Sequence, residues 1–292
     1  MTAPASRTWL ARAAWTFWAL MPIAVLAYHF GPGQTLMGKA AAARVVEAAR
    51  ADEKIAEQLL DDAYAAHLRA LEARAAASGK EDATLRAAAD KASAEEAQAY
   101  ARSEAQWQRV ADNLQQAITA LQPADASAAR ELRVDRARAV LRAGDIPGAM
   151  GDLEQVLTEL ADTKAESSTT AMRAREELGT AMYFGARVLR MSGKPADEWR
   201  PLAAGARQQF RYLAQHARDT NASPDSITNH DKNTELVLNL EQSGLDELLA
   251  KPRPRACPNG NGKLSTAKRP GRRPGDKPGN GAGMDGEIGQ GW

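Results

Sequence analysis

The 292-residue chain is predicted to be all-α: an amino-terminal transmembrane helix, a long helical hairpin, an antiparallel helix stack and a disordered tail. Three observations predict it. Alanine occurs about 60 times, roughly a fifth of the chain, and has the best intrinsic helix propensity. Aromatics make up only 5%, too few for the strands of a sandwich or barrel. Apolar residues recur at helical spacing through long stretches without proline, until the composition turns abruptly to Gly and Pro at Lys251. One Cys and 4 His, scattered, leave no disulfide framework and no zinc-ligand spacing, so metal and cofactor are expected to be absent.

Residues 1–31 form the first segment. Trp9 to Phe30 is the most apolar stretch, with an uncharged part from Ala13 to Tyr28 that reaches a spanning length only if Trp9 and Leu10 are counted and Arg12 snorkels to the headgroups. Trp9, Trp15 and Trp18 crowd one end and Tyr28 closes the other, as in interfacial belts. Arg7 and Arg12 precede the span and no acid occurs before Glu47, so the positive-inside rule leaves the amino end cytoplasmic and the bulk extracytoplasmic, periplasmic in a bacterium. Cleavage after Ala27 as a signal peptide, with Val25 and Ala27 as the small residues, is the alternative, and a buried soluble helix is the third.

Residues 38–122 are expected to form the hairpin. Val45, Ala48, Ala51, Ile55, Leu59, Ala63, Ala66 and Ala70 are placed on one apolar stripe, widened by Leu60, His67 and Leu71 and interrupted by Asp52. Ser78-Gly79 breaks the helix, and the next runs from Asp82 to Leu121. Tyr100, Trp107, Leu114 and Leu121 lie seven apart with Ala111 and Ile118 between them, a coiled-coil-like seam. The seam serves either an antiparallel hairpin within the chain or a coiled coil between subunits.

Residues 123–250 carry a recognisable local pattern. A helix ends at Arg142-Ala143, Gly144-Asp145 turns the chain, and a second helix starts near Pro147. Ala137, Val140, Gly144, Ile146, Ala149, Leu153 and Val156 fall at the small, bulky and turn positions of a tetratricopeptide repeat, which this unit resembles. Arg133 replaces the early large apolar residue and no proline closes the unit. Gln106 to Pro123 reads as half of a preceding unit. Ala171 to Met191, turned at Ser192-Gly193-Lys194-Pro195 into Ala196 to Ala217, reads as a following one, with Glu198 where the motif has alanine. The TPR-like resemblance covers roughly residues 106–217. Thr220 to Lys232 reads as a polar loop, and Asn233 to Leu249 as the capping helix.

The segment 179–214 is densest in large side chains. Tyr183, Arg187, Arg190, Trp199, Arg207, Phe210 and Arg211 are the candidates for a partner groove, because aromatics and arginines dominate interface hot spots. They are equally what an alanine-rich fold needs for its bulky core.

Residues 251–292 hold nine basic and three acidic residues with almost no aliphatics, and are expected to be disordered. Lys268, Arg269, Arg272 and Arg273 form the candidate contact for an anionic lipid or polymer. The formal net charge of +1 therefore conceals an acidic body, 27 basic against 34 acidic residues over 31–250, between cationic ends. Nucleic acid is not an expected partner.

No phosphate loop, nucleophile elbow or paired-histidine helix occurs, and no catalytic residue is expected. His67 is expected to pack in the core, His216 to suit a helix carboxy end, and Cys257 to be a lone tail thiol. The pairs Asp61-Asp62, Glu95-Glu96 and Glu176-Glu177 read as solvated helix faces. The resemblance implies a non-enzymatic scaffold that holds a protein partner at the membrane surface. An envelope spacer with an anion-binding tail is the second reading.

Overall fold

Five helices of the body begin where a short polar side chain takes one of the free amino-terminal N–H groups. In the computed structural model, which describes residues 6–30, 32–122 and 125–250, Asp82 accepts from the Thr84 backbone N–H at 2.8 Å and Asp125 from that of Ala128 at 3.1 Å. Asp145 accepts from the Gly148 N–H at 2.9 Å, and Ser168 from that of Ala171 at 3.2 Å. The resulting order is α1 (Ser6–Phe30), α2 (Pro32–Ala77), α3 (Ala83–Leu121), α4 (Ala126–Arg142), α5 (Ile146–Asp162), α6 (Thr169–Met191), α7 (Ala196–Asp219), α8 (Pro224–Gln242) and α9 (Leu245–Ala250). Among the described residues no strand occurs, as the composition predicts. The expected tail, with Lys268, Arg269, Arg272 and Arg273, lies outside the described residues.

Helices α2 and α3 pack against each other along most of their length as an antiparallel pair within the chain. Cross-links fix the direction: Lys39 pairs with Asp125 at one end, Asp52 with Gln106 and Asn113 in the middle, and His67 and Arg74 with Glu96 towards the tip. The seam on α3 runs as the heptads predict, with Tyr100, Trp107, Leu114 and Leu121 all buried. On α2 the predicted stripe holds in the second half, where Ala63, Ala66 and Ala70 are buried, and is turned about the helix axis in the first. Ala48, Ala51 and Ile55 face solvent, and the buried row is Ala42, Ala49, Ala56, Ala63 and Ala70, a strict seven-residue repeat. Alanine is so frequent on α2 that several rows look apolar. The row that wins lets the backbones approach most closely under the large side chains of α3.

The later helices pack on their neighbours in sequence: α4 on α5, α5 on α6, α6 on α7 and α7 on α8, with α3 against α4. At the α4–α5 turn Gly144 has φ +98°, a conformation that a side chain would strain. Ala137, Leu153 and Val156 are fully buried between α4, α5 and α6, and Ala149 is fully buried towards the larger core. A second, larger core joins Trp107 and Leu114 of α3 to Phe184, Trp199, Phe210 and Leu213 of α6 and α7, and to Val237 and Leu240 of α8.

Two boundaries differ from expectation. The segment read as a loop, Thr220 to Lys232, is helical from Pro224: Ser223 caps it, accepting from Ser226 N–H at 3.3 Å, Pro224 suits the first turn, and Asp225 favours the dipole. Turn residues were here helix-start residues. The final helix is broken at Ser243-Gly244 into α8 and α9. At the other end, no single described helix is long and apolar enough to cross a membrane. The apolar part of α1, Ala14–Tyr28, is about 22 Å long at 1.5 Å per residue, against roughly 30 Å of hydrocarbon. By length and composition, Ala14–Tyr28 together with Gly33–Ala77, bent by 48°, forms one candidate pair.

Candidate functional site: the cleft between hairpin and stack

Of the seven groove candidates, Tyr183, Trp199 and Phe210 belong to the larger core and Arg187 is buried, while Arg190 and Arg207 are half-buried. Phe210 is completely buried from α7, against Gly179 of α6, where an added Cβ would lie 3.1 Å from the Phe210 ring. Tyr183 and Trp199 are buried too, and burial pushes the Tyr183 hydroxyl pKa upward. Arg187 is buried and donates to the Leu248 carbonyl at 3.2 Å. Arg190 donates to the Ser243 carbonyl and lies with its guanidinium 4.9 Å from the Trp199 ring centre. Arg207 pairs with Glu241 at 2.7 Å. These arginines tie α8 and α9 onto α6 and α7. Arg211 alone of the seven is exposed. A core short of large residues recruits every bulky side chain in the segment, which is why the core reading prevails over the groove.

The open concavity lies one helix away. A cleft of about 640 Å³ separates the hairpin from the stack. Its apolar walls are Leu60 of α2, Tyr100 of α3, Leu141 and Ile146 at the α4–α5 turn, and Phe184 and Val188 of α6. Val188 remains 48% exposed, so the wall is open to solvent there, and half-buried Met191 continues it. Ser103, Glu104, Arg142, Arg187 and Ser192 supply polar groups. Of the predicted groove residues, Arg187 alone lines this cleft.

Behind one wall runs a charged cluster that the sequence reading passed over. Arg142 lies with its guanidinium 4.2 Å from the centre of the Trp107 ring, and Arg138 reaches Glu53 of α2 at 2.8 Å. Arg142 stands 3.8 Å from the same Glu53, and Arg138 stands 4.0 Å from Glu177 of α6. Arg173 pairs with Asp135. The cluster joins α2, α4 and α6 through charges held largely away from water. Burial pushes the Glu177 carboxyl up to about 7, against the opposing pull of Arg138 and Arg142. A smaller cavity of about 190 Å³ adjoins it, lined by Arg50, Glu53, Trp107, Asp135, Arg138 and Arg173 among others.

Glu176-Glu177, read as a solvated pair, thus holds one buried acid and one, Glu176, that lies 3.8 Å from His230. The signal for Glu177 was its place three residues after Ala174 and four before Ala181, on the row that α6 buries. Likewise Glu96 serves His67, whose Nδ1 lies 2.6 Å from it, so His67 packs in the hairpin interior as expected. His216 lies parallel to the Tyr212 ring near the end of α7. Among the described residues no group of three or more His, Cys, Asp or Glu is placed to hold a metal ion. The cleft is suited to binding by shape and apolar contact with a polar rim. No family model, curated protein or solved structure matches the chain.

Proposed function

We propose that the protein is a membrane-anchored, non-enzymatic, extracytoplasmic scaffold of TPR-like helices, which holds a segment of a protein partner in the cleft between hairpin and stack. The observation that carries this reading is the cleft itself, with apolar walls from both halves of the molecule and exposed Val188 at its mouth. The anchor reading is supported by α1, where Trp15, Phe17, Trp18, Leu20, Ile23 and Leu26 all stand outward, more exposed apolar surface than a helix in water sustains. Arg7 and Arg12 at its start support the cytoplasmic amino end.

The test is co-purification from detergent, comparing the full chain with Val188→Glu/Met191→Glu. Val188 is exposed, whereas Met191 is half-buried against the larger core, so the thermal melt is followed alongside. Loss of one or more stoichiometric partners, with the thermal melt unchanged, is the expected result. An unchanged set of partners overturns the scaffold. A second reading, the envelope spacer whose basic tail binds an anionic lipid or polymer, is favoured by the length of α2: 46 residues reach about 70 Å. Deleting residues 251–292 distinguishes it, since loss of surface association with partners retained favours the spacer.

A further inference from the structure

Resting on the reading of the cleft as a binding surface, we infer that the partner segment it takes is a basic amphipathic helix, its apolar stripe against the stack and its lysines or arginines against the hairpin. The walls, the charge and the secondary structure each point to it.

The two walls differ in chemistry. The stack contributes Leu141, Ile146, Phe184, Val188 and Met191, with no acid among its lining residues. The hairpin contributes Leu60 and Tyr100 together with a carboxylate, Glu104, one turn after Tyr100. Glu53 shows which side of α2 turns to the stack, since it reaches Arg138 of α4 at 2.8 Å. Glu57 stands one turn beyond Glu53, and Leu60 less than a turn further, so Glu57 flanks the apolar wall on that same side. Glu57 and Glu104 are half-buried, where a charge is screened less than on an open surface.

The arginines of the lining do not offset these acids. Arg142 is buried over the Trp107 ring and 3.8 Å from Glu53, and Arg187 is buried and donates to the Leu248 carbonyl. The charge that an incoming segment meets is therefore that of the hairpin. It has the same sign as the body, 27 basic against 34 acidic residues over 31–250, whose field draws in a cationic segment and repels an acidic one.

The walls also select the shape of the occupant. Among the described residues no strand occurs, so the cleft offers no sheet edge for an extended peptide to join. Tyr100 and Phe184 are buried, and a polyproline segment would lack the open aromatic platforms on which it docks. A groove between packed helices suits a helix that inserts side chains at i, i+3, i+4 and i+7.

The experiment uses the full chain in a neutral detergent, with Val188→p-benzoylphenylalanine as a photocrosslinker at the mouth of the cleft. The probes are two synthetic helices of about 14 residues, or four turns, with leucine at the same i, i+3, i+4 and i+7 positions and either lysine or glutamate elsewhere. The lysine peptide should crosslink about tenfold more than the glutamate peptide, and Glu57→Gln/Glu104→Gln should lower its yield about fivefold with the thermal melt unchanged. Comparison of the two peptides on the parent chain decides the matter even where the double variant is unstable. Equal yields assign the cleft to an uncharged apolar occupant and overturn the inference, as does a yield that Glu57→Gln/Glu104→Gln leaves unchanged. Crosslinks formed chiefly between chains assign the cleft to a second copy and overturn it too, and so does the absence of any peptide crosslink. The two proposals fail separately: partners lost on Val188→Glu/Met191→Glu without a preference for lysine keep the scaffold and remove the basic helix. A lysine-specific crosslink that depends on Glu57 and Glu104, with unchanged partners, does the reverse.

Discussion

The hairpin and the stack are made of the same alanine-rich composition and are held together in different ways. In the hairpin, the α2 side of the interface is a row of alanines, Ala42 through Ala70, each burying little more than a methyl group, worth about 0.8 kcal/mol apiece. Polar bridges mark its middle and its tip: Asp52 to Gln106 and Asn113, Glu96 to His67 and Arg74. In the stack, Phe210, Leu153, Val237 and Leu240 are fully enclosed, and the interface is filled by volume. A thin seam can be long because it asks little of each turn. A thick core must be short and closed, and here it gathers nearly all the bulk of residues 179–214. The sharpest way to break that contrast is Phe210→Ala, which leaves a cavity against Gly179 and should cost about 3–5 kcal/mol. In urea titration, a loss below 1 kcal/mol would mean that the stack, like the hairpin, depends on no single large side chain.

The next effect tests the joint between the two regions. Glu177 is buried, with its carboxyl raised from 4.5 to about 7, and it faces Arg138 and Arg142 of α4, with Asp135 and Arg173 close by. The folded chain holds this proton at pH values where the unfolded chain has released it. Its contribution is therefore complete below about 4.5 and is lost as pH rises through about 7. Unfolding free energy should fall by up to about 3 kcal/mol between pH 5 and 8 from this group. His230, whose pKa burial depresses, works the other way below its ordinary value of 6.5, so a His230→Gln background isolates the slope. Glu177→Gln should flatten it. A slope that survives Glu177→Gln assigns the titration elsewhere.

Much of this contrast was legible in the residues. The α3 seam and the α4–α5 turn followed from spacing, because large residues on a repeat of seven or at a glycine turn leave few alternatives, and the packing of Ala149, Leu153 and Val156 followed from the resemblance to a tetratricopeptide repeat. The face of α2 followed for Ala63, Ala66 and Ala70 but not in its first half, where alanine on every side makes periodicity ambiguous and the partner helix decides. Glu177 looked like a surface charge, and Arg142 like no more than a helix end, until the fold brought Arg138 against the one and Glu53 against the other. The cleft draws its walls from residues 60, 100, 146 and 188, and nothing local announces that they meet.

Asp52 carries the contrast into the hairpin at a smaller scale. Its two carboxylate oxygens accept from Gln106 at 3.0 Å and from Asn113 at 2.8 Å, and Gln106 is buried. Asp52→Ala strands those amides and should cost about 2 kcal/mol, more than any one alanine of the seam contributes. Replacing all three by leucine removes the unmet groups together and should recover most of the loss. If Asp52→Ala were neutral in calorimetry, the polar layer would be decoration on an interface carried by alanine alone.

The smallest effect decides which row of α2 is the seam. Ile55, on the stripe that periodicity favours, is 48% exposed, and Ala56 beside it is fully buried. Ile55→Ala removes three carbons and still should cost no more than about 0.5 kcal/mol, the range of ordinary surface changes. Ala56→Leu adds three carbons and should cost about 1–3 kcal/mol, because the backbones of α2 and α3 are too close to admit them. Normal intuition about large apolar residues predicts the opposite order. A finding that Ile55→Ala is the more damaging would return the seam to Ala48, Ala51 and Ile55, turn α2 about its axis, and move Leu60 relative to the cleft it now lines.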